Sequence, residues 1–176
     1  MEVRDQLHRL IKLSHTPRRI ISLVPSQTEL LVDLGLRDQL VGITKFCVYP
    51  SNLRSSIRLV GGTKNIQLEK IKALKPDLVI CNKEENTEEI AASLSEFVPV
   101  YVTDIYEVKD VFEMIASLGA ILNAEERAQE INAEIKTEYD KFNTFVKEIE
   151  TRKVAYLIWK KPFMAVGKRT FINSLL

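Results

Sequence analysis

Residues 20–35 read IISLVPSQTELLVDLG, and this stretch decides the fold. Apart from Ser22, Ile20 to Val24 is apolar throughout, as a strand covered on both faces must be. Pro25 ends the run. Ser26-Gln27-Thr28-Glu29 then has capping-box spacing, in which a serine oxygen accepts an amide one turn on and a glutamate reaches back. Leu30, Leu31 and Leu34 follow at helical spacing, and Gly35 supplies the left-handed residue on which helices end. Leu40 to Thr44 returns as a second predicted strand.

Downstream the same pattern repeats. Leu68, Ile71 and Leu74 mark a short helix, Lys75-Pro76-Asp77 breaks it, and Leu78 to Cys81 is apolar on both faces. Asn86 and Glu89 have the spacing of a cap for a helix bearing Ile90, Leu94 and Phe97, before a strand over Pro99 to Val102. Val108, Val111, Phe112, Ile115 and Leu118 then recur at helical spacing. Wholly apolar strands separated by helices imply a parallel sheet covered on both sides, with right-handed crossovers. The predicted fold class is α/β, a doubly wound, Rossmann-like lobe over residues 20–122.

Upstream, Val3, Leu7, Leu10 and Ile11 fall on one helical face, which predicts a helical extension over residues 1–19. Beyond the lobe, Asn123-Ala124-Glu125-Glu126 has the spacing of a further capping box, and no breaker intervenes before Glu150. Ala128, Ile131, Ile135, Tyr139, Phe142, Val146 and Ile149 step by three and four, so residues 123–150 are predicted as one long helix. Two uses suit such a rod: a partner or dimerisation helix, or a stiff brace into a second body. Lys153 to Trp159 is strand-like, Pro162 to Val166 suits a hairpin partner, and Thr170 to Leu176 begins a helix. Residues 151–176 are therefore expected to open a second α/β lobe, with residue 176 a truncation point.

Composition narrows the functional classes. With 25 basic against 24 acidic residues the formal charge is +1, which gives no electrostatic reason to expect nucleic acid. Cys47 and Cys81 form no CxxC pair, and both histidines, His8 and His15, precede the lobe, so neither a zinc site nor a Ser–His relay is expected. GxSxG, P-loop and GxGxxG patterns are absent, and Glu84-Glu85 and Glu125-Glu126 are sequence neighbours that regular structure points apart. The expectation is a non-catalytic protein with no cofactor and no resident metal. The longest uncharged stretch, Met114 to Ala124, falls well short of the ~20 residues a bilayer span needs. The first residues lack the basic start, apolar block and small-residue site of a secretory leader, so the chain as read is cytoplasmic or has lost its leader.

Open parallel sheets bind ligands beyond the carboxyl ends of their strands. Three loops qualify: Pro25-Ser26-Gln27, Phe46-Cys47-Val48-Tyr49-Pro50, and Asn82-Lys83-Glu84-Glu85-Asn86. The first exposes a helix N-terminus suited to an anion or carboxylate. The second carries two aromatics where a loop needs none for packing, although Phe46 and Tyr49 serve equally as plugs beneath the lobe. The third is polar although it leaves a buried strand, and its charges suit either a ligand or plain solvent.

RIISLVPSQTELLVDLGL (19–36), VGGTKNIQLEKIKALKPDLVICN (60–82) and KKPFMAVGKRTFINSLL (160–176) together resemble the substrate-binding proteins of vitamin B12 and ferric-siderophore ABC importers, a helical-backbone family of periplasmic binding proteins. The resemblance covers essentially everything after Arg18. It implies two α/β lobes joined by one long helix, a ligand held between them, and a protein periplasmic or lipid-tethered outside the membrane. It further implies that Glu69 meets arginines of an ABC permease. The expected ligand is cobalamin, a ferric siderophore or haem, with contacts from Pro25, Ser26, Phe46, Cys47, Tyr49, Thr63, Lys64, Asn82, Lys83, Glu84, Trp159 and Lys160. B12 binders of the family place bulky aromatics where this chain has Gly62-Thr63-Lys64 and Asn82-Lys83; only Phe46 and Trp159 keep that character. Flat apolar walls suit a corrin ring, whereas a Lys64 and Lys83 rim suits an anionic iron chelate or haem carboxylates. The alternative function is an intracellular chelatase-like or tetrapyrrole-handling protein, with Glu84 or Glu85 as its base.

Overall fold

The computed structural model describes residues 1–176. A short antiparallel hairpin, β1 (Glu2–Arg4) and β2 (Leu10–Lys12), precedes the lobe. The lobe runs β3 (Ile20–Ser22), α1 (Pro25–Asp33), β4 (Leu40–Ile43), α2 (Leu53–Ser56), β5 (Arg58–Leu59), α3 (Leu68–Ala73), β6 (Leu78–Asn82), α4 (Glu88–Ser95), β7 (Val100–Thr103) and α5 (Val108–Leu122). Next come α6 (Glu125–Val146), the antiparallel pair β8 (Leu157–Trp159) and β9 (Met164–Ala165), and α7 (Phe171–Leu175).

The five lobe strands pair in parallel in the order β5-β4-β3-β6-β7, with β3 central. Alternation along β6 shows why these strands carry no polar face. Leu78 and Ile80 enter the core layer that contains Leu31 of α1 and Leu118 of α5. Val79 and Cys81 enter the opposite layer, with Ile71 of α3 and Leu94 of α4. A sheet covered on both sides buries both side-chain sets, which produces the continuous apolar runs.

The N-terminal extension is a hairpin, not the expected helix. Ile11 and Leu13 are buried with an exposed Lys12 between them, the two-residue period of a strand. Asp5 closes the tip: its Oδ1 accepts the amides of Leu7 at 3.0 Å and Arg9 at 2.9 Å, and His8 takes φ 60°. This tip also covers the outer edge of β7. Val102 N donates to Asp5 Oδ2 at 3.2 Å, Arg9 Nη2 to Val100 O at 3.1 Å, and Asp104 N to Gln6 Oε1 at 3.1 Å. Side chains thereby occupy edge groups that otherwise invite a foreign strand.

Three expected caps resolve differently. Helix α1 starts at Pro25 itself, with Val24 as its uncapped N-cap, because the fixed φ of proline fits a first turn. Ser26 therefore lies inside that turn. At α4 the cap is Thr87, whose Oγ1 accepts Ile90 N at 3.3 Å, while Asn86 turns inward. Asn123 ends α5 in the left-handed region (φ 56°, ψ 46°) and does not cap α6. The box that does form is Glu107 with Asp110, at the start of α5.

Helix α6 spans 22 residues, roughly 33 Å at 1.5 Å per residue. Its first turns pack on α5, where Gly119 lets Ala128 approach: a Cβ on Gly119 would lie 2.5 Å from the Ala128 Cβ. Phe142, Phe145 and Val146, near its far end, are exposed. The strands after it form their own two-stranded sheet and do not extend the five-stranded one. No helix is long and apolar enough to cross a membrane.

Candidate functional site at the carboxyl rim of the sheet

The carboxyl ends of β3, β4, β6 and β7 are tied by a buried polar network. Thr28 Oγ1 donates to Ser22 Oγ at 2.8 Å and lies 3.1 Å from Cys47 Sγ, which is also 3.3 Å from Thr44 Oγ1. Across the sheet, Asn82 Nδ2 donates to Thr103 Oγ1 at 3.0 Å, and Gln27 Nε2 donates to the same hydroxyl. Asn86 receives Asn82 N at 2.9 Å and donates to Thr63 O at 2.9 Å. Loops from four strands are thus locked to each other below the surface, so the groups above them are held on a stiff base. Gln27 Oε1 and Asp104 Oδ1 are buried at this rim without a protein partner.

Three cavities open along this rim. One of about 400 Å³ is lined by Lys45, Phe46, Gly62, Thr63 and Lys64 among others. A second, of about 550 Å³, lies between Ser26 and Gln27 of α1, Asn82 and Glu84, and the apolar faces of α5 and α6, with Phe171 at its margin. The third, of about 740 Å³, separates Glu84, Tyr106 and Glu107 from Lys168, Arg169 and Thr170. The segment leading into α7 therefore stands opposite the lobe's loops.

The expected site residues divide accordingly. Phe46, Tyr49, Lys64 and Glu84 are exposed on rim loops, and Ser26 and Asn82 line the second cavity. Thr63 is nearly buried, but lines the first cavity. Asn82 also shapes its loop, because its Oδ1 accepts Glu84 N at 2.9 Å and Glu85 N at 3.1 Å. Pro25 is half-buried and serves the helix start. Cys47, expected in ligand contact, is fully buried and braces the network from below. Lys83, expected as a free cation, donates to Asp104 Oδ2 at 2.7 Å and to the Tyr106 hydroxyl at 2.8 Å. Those bonds, Asp104 first, hold its ammonium well above the usual lysine range. Trp159 and Lys160 are exposed on the β8–β9 hairpin, where the indole N–H donates to Lys161 O at 2.9 Å; neither lines the three rim cavities. Lys45, Tyr106, Lys168 and Arg169 also lie at the rim, outside the expected set. The one sequence signal was the Lys168-Arg169 pair just before the Thr170 cap, whose Oγ1 accepts Asn173 N at 3.3 Å.

The chain thus comprises a doubly wound lobe with cavity-forming loops, a long helix, and a segment beyond it that faces the lobe's rim. The sequence profile of the family described as periplasmic binding protein matches residues 20–176, and the chain belongs to that family. It is 27% identical to an uncharacterized ABC transporter substrate-binding lipoprotein, YvrC, of Bacillus subtilis, over 98% of this chain and 57% of that one. It is likewise 27% identical to a vitamin B12-binding protein of Vibrio parahaemolyticus, over 89% of this chain and 57% of the relative. Among solved structures, the periplasmic vitamin B12 binding protein BtuF of Vibrio cholerae superposes with a TM-score of 0.83 at 24% identity, covering 91% of this chain and 63% of that one. That likeness is one of fold. A possible iron-binding periplasmic solute-binding protein of Staphylococcus epidermidis gives 0.78 at 27% identity, covering 92% and 65%. The chain spans 57% of the length of the first two relatives.

Proposed function

We propose that this chain supplies the first lobe and helical backbone of a non-catalytic binding protein. It holds a corrinoid, ferric siderophore or haem between lobes, outside the cytoplasm, and delivers it to an ABC importer. The observation that carries this is the rim itself: stiffly based loops enclose open cavities and face residues 168–174 across the largest of them. Membership of the binding-protein family and relatives named for vitamin B12 support the ligand class. In this proposal residues 151–176 belong to the second lobe, and α6 resists hinging so that closure is modest.

Glu69 is the proposed permease contact. It lies in the first turn of α3, its carboxylate almost fully exposed and held only by an i,i+3 pair with Lys72 at 3.1 Å. An exposed pair of that kind is worth little, so an arginine of a partner can displace the lysine at small cost. Glu84 and Glu85, the bases of the chelatase-like alternative, are both exposed on their loop, which favours binding over turnover. Equilibrium dialysis of the full chain against cyanocobalamin, haem and ferric siderophores tests the proposal: saturable binding of one class is expected. Failure to retain any of them would remove it.

A further inference from the structure

Two lysines and one aromatic ring sit together in the cavity of about 400 Å³. Lys45 Nζ lies 5.1 Å from the centroid of the half-exposed Phe46 ring. Lys64 reaches across to donate to the backbone carbonyl of Glu84, which leaves two of its N–H groups free. Neither ammonium takes part in a salt bridge, and no carboxylate lines this cavity. Lys83, by contrast, is neutralised by Asp104.

The loop beneath is shaped to bring these groups close. Gly61 takes φ +116°, and a Cβ there would lie 2.5 Å from Asn65 O. A Cβ on Gly62 would lie 3.2 Å from Phe46 Cε2 and 3.6 Å from Lys45 Cε. Without side chains at both positions, the ring and the lysine stem settle directly on the backbone. The result is a flat face flanked by two ammonium groups that have no salt-bridge partner.

We propose that this platform selects an anionic ferric chelate, built on catecholate or hydroxycarboxylate groups, over a neutral corrinoid. The proposal rests on the crevice being the binding site. Anionic oxygens make charge-assisted hydrogen bonds to Lys45 and Lys64, and a planar ligand arm stacks on Phe46. A corrin ring needs broad apolar walls, and of the exposed rim aromatics Phe46, Tyr49 and Tyr106 only Phe46 lines this cavity.

The test is equilibrium dialysis of the full chain with four probes: the ferric tris-catecholate complex, ferric citrate, the cationic hydroxamate chelate ferrioxamine B, and cyanocobalamin. The anionic complexes should bind, the other two at least tenfold more weakly. Lys45→Gln and Lys64→Gln should each weaken tris-catecholate binding about ten- to a hundredfold, the loss of one charge-assisted bond. The matching arginine variants should retain most of the affinity, and Lys70→Gln, on the exposed face of α3, should change nothing. Circular dichroism confirms that each variant is folded. Tighter binding of cyanocobalamin or ferrioxamine B, or chelate binding that both glutamine variants leave intact, overturns the proposed selection while leaving a functional crevice. Binding of none of the probes overturns this selection, and if haem is also not retained, the crevice as a binding site falls with it.

Discussion

Cys81 illustrates how far a single residue's chemistry follows from its place in the sheet. Its side chain lies in the core layer between β6 and α4, and burial pushes its thiol up to about 12. The folded chain therefore keeps a proton that the unfolded chain releases near 9. Stability from this group is fully present below pH ~9 and is lost as pH rises towards 12, by ~1.4 kcal/mol per decade at most. Denaturant titrations between pH 9 and 12 should show the wild type losing a few kcal/mol more than Cys81→Ala; equal slopes would contradict the assignment. Such a role was not legible from the sequence. Cys81 was readable as the end of an apolar strand, but its depth depends on α4 packing across it. Lys83 shows the same limit: Asp104 and Tyr106, which engage it, arrive from the loop after the neighbouring strand. A charge's availability is a non-local property, which the lysine's own place in the chain does not disclose.

At the scale of elements, the α5–α6 corner and the N-terminal hairpin each turn on one or two residues. Gly119→Ala should overpack the corner and cost ~1–3 kcal/mol in thermal or denaturant unfolding. Ala128→Gly in the same chain should recover part of that loss, because it removes the 2.5 Å collision while the Ala124 carbonyl oxygen, 3.3 Å away, stays crowded. Additive losses would contradict the close approach. Asp5→Ala should remove an acceptor from three backbone amides and the Arg9 guanidinium, leaving Val102 N uncovered on the β7 edge. A cost of ~2 kcal/mol or more is expected, together with faster aggregation measured by light scattering. The apolar strand runs and the long periodic helix were readable because each is a local pattern that the core enforces along its whole length. The hairpin was not, because Val3, Leu7, Leu10 and Ile11 satisfy a helical period by coincidence. The deciding features are a turn made by Asp5 and an edge to cover, and that edge lies about a hundred residues away. Caps failed for a related reason: Pro25 and Asn123 fixed the backbone first, and the neighbouring Ser26 and Glu126 had no cap to make.

The whole molecule divides into a stiff lobe, a long helix and a segment that faces back towards the lobe's rim. The proposed permease contact on α3 and the proposed ligand site at the rim lie on different surfaces, so the two roles should separate by mutation. Glu69→Ala is expected to leave the affinity for ligand within twofold while reducing transport or stimulation of importer ATPase severalfold; a loss of ligand affinity would move Glu69 into the binding site. Hydrogen exchange compared with and without a saturating bound ligand, followed by peptide mass, tests the central claim most directly. Protection is predicted at residues 44–49, 61–65, 82–86 and 168–174 together. Protection confined to the N-terminal hairpin and α4, or at the lobe loops without residues 168–174, would contradict a ligand held between the two bodies.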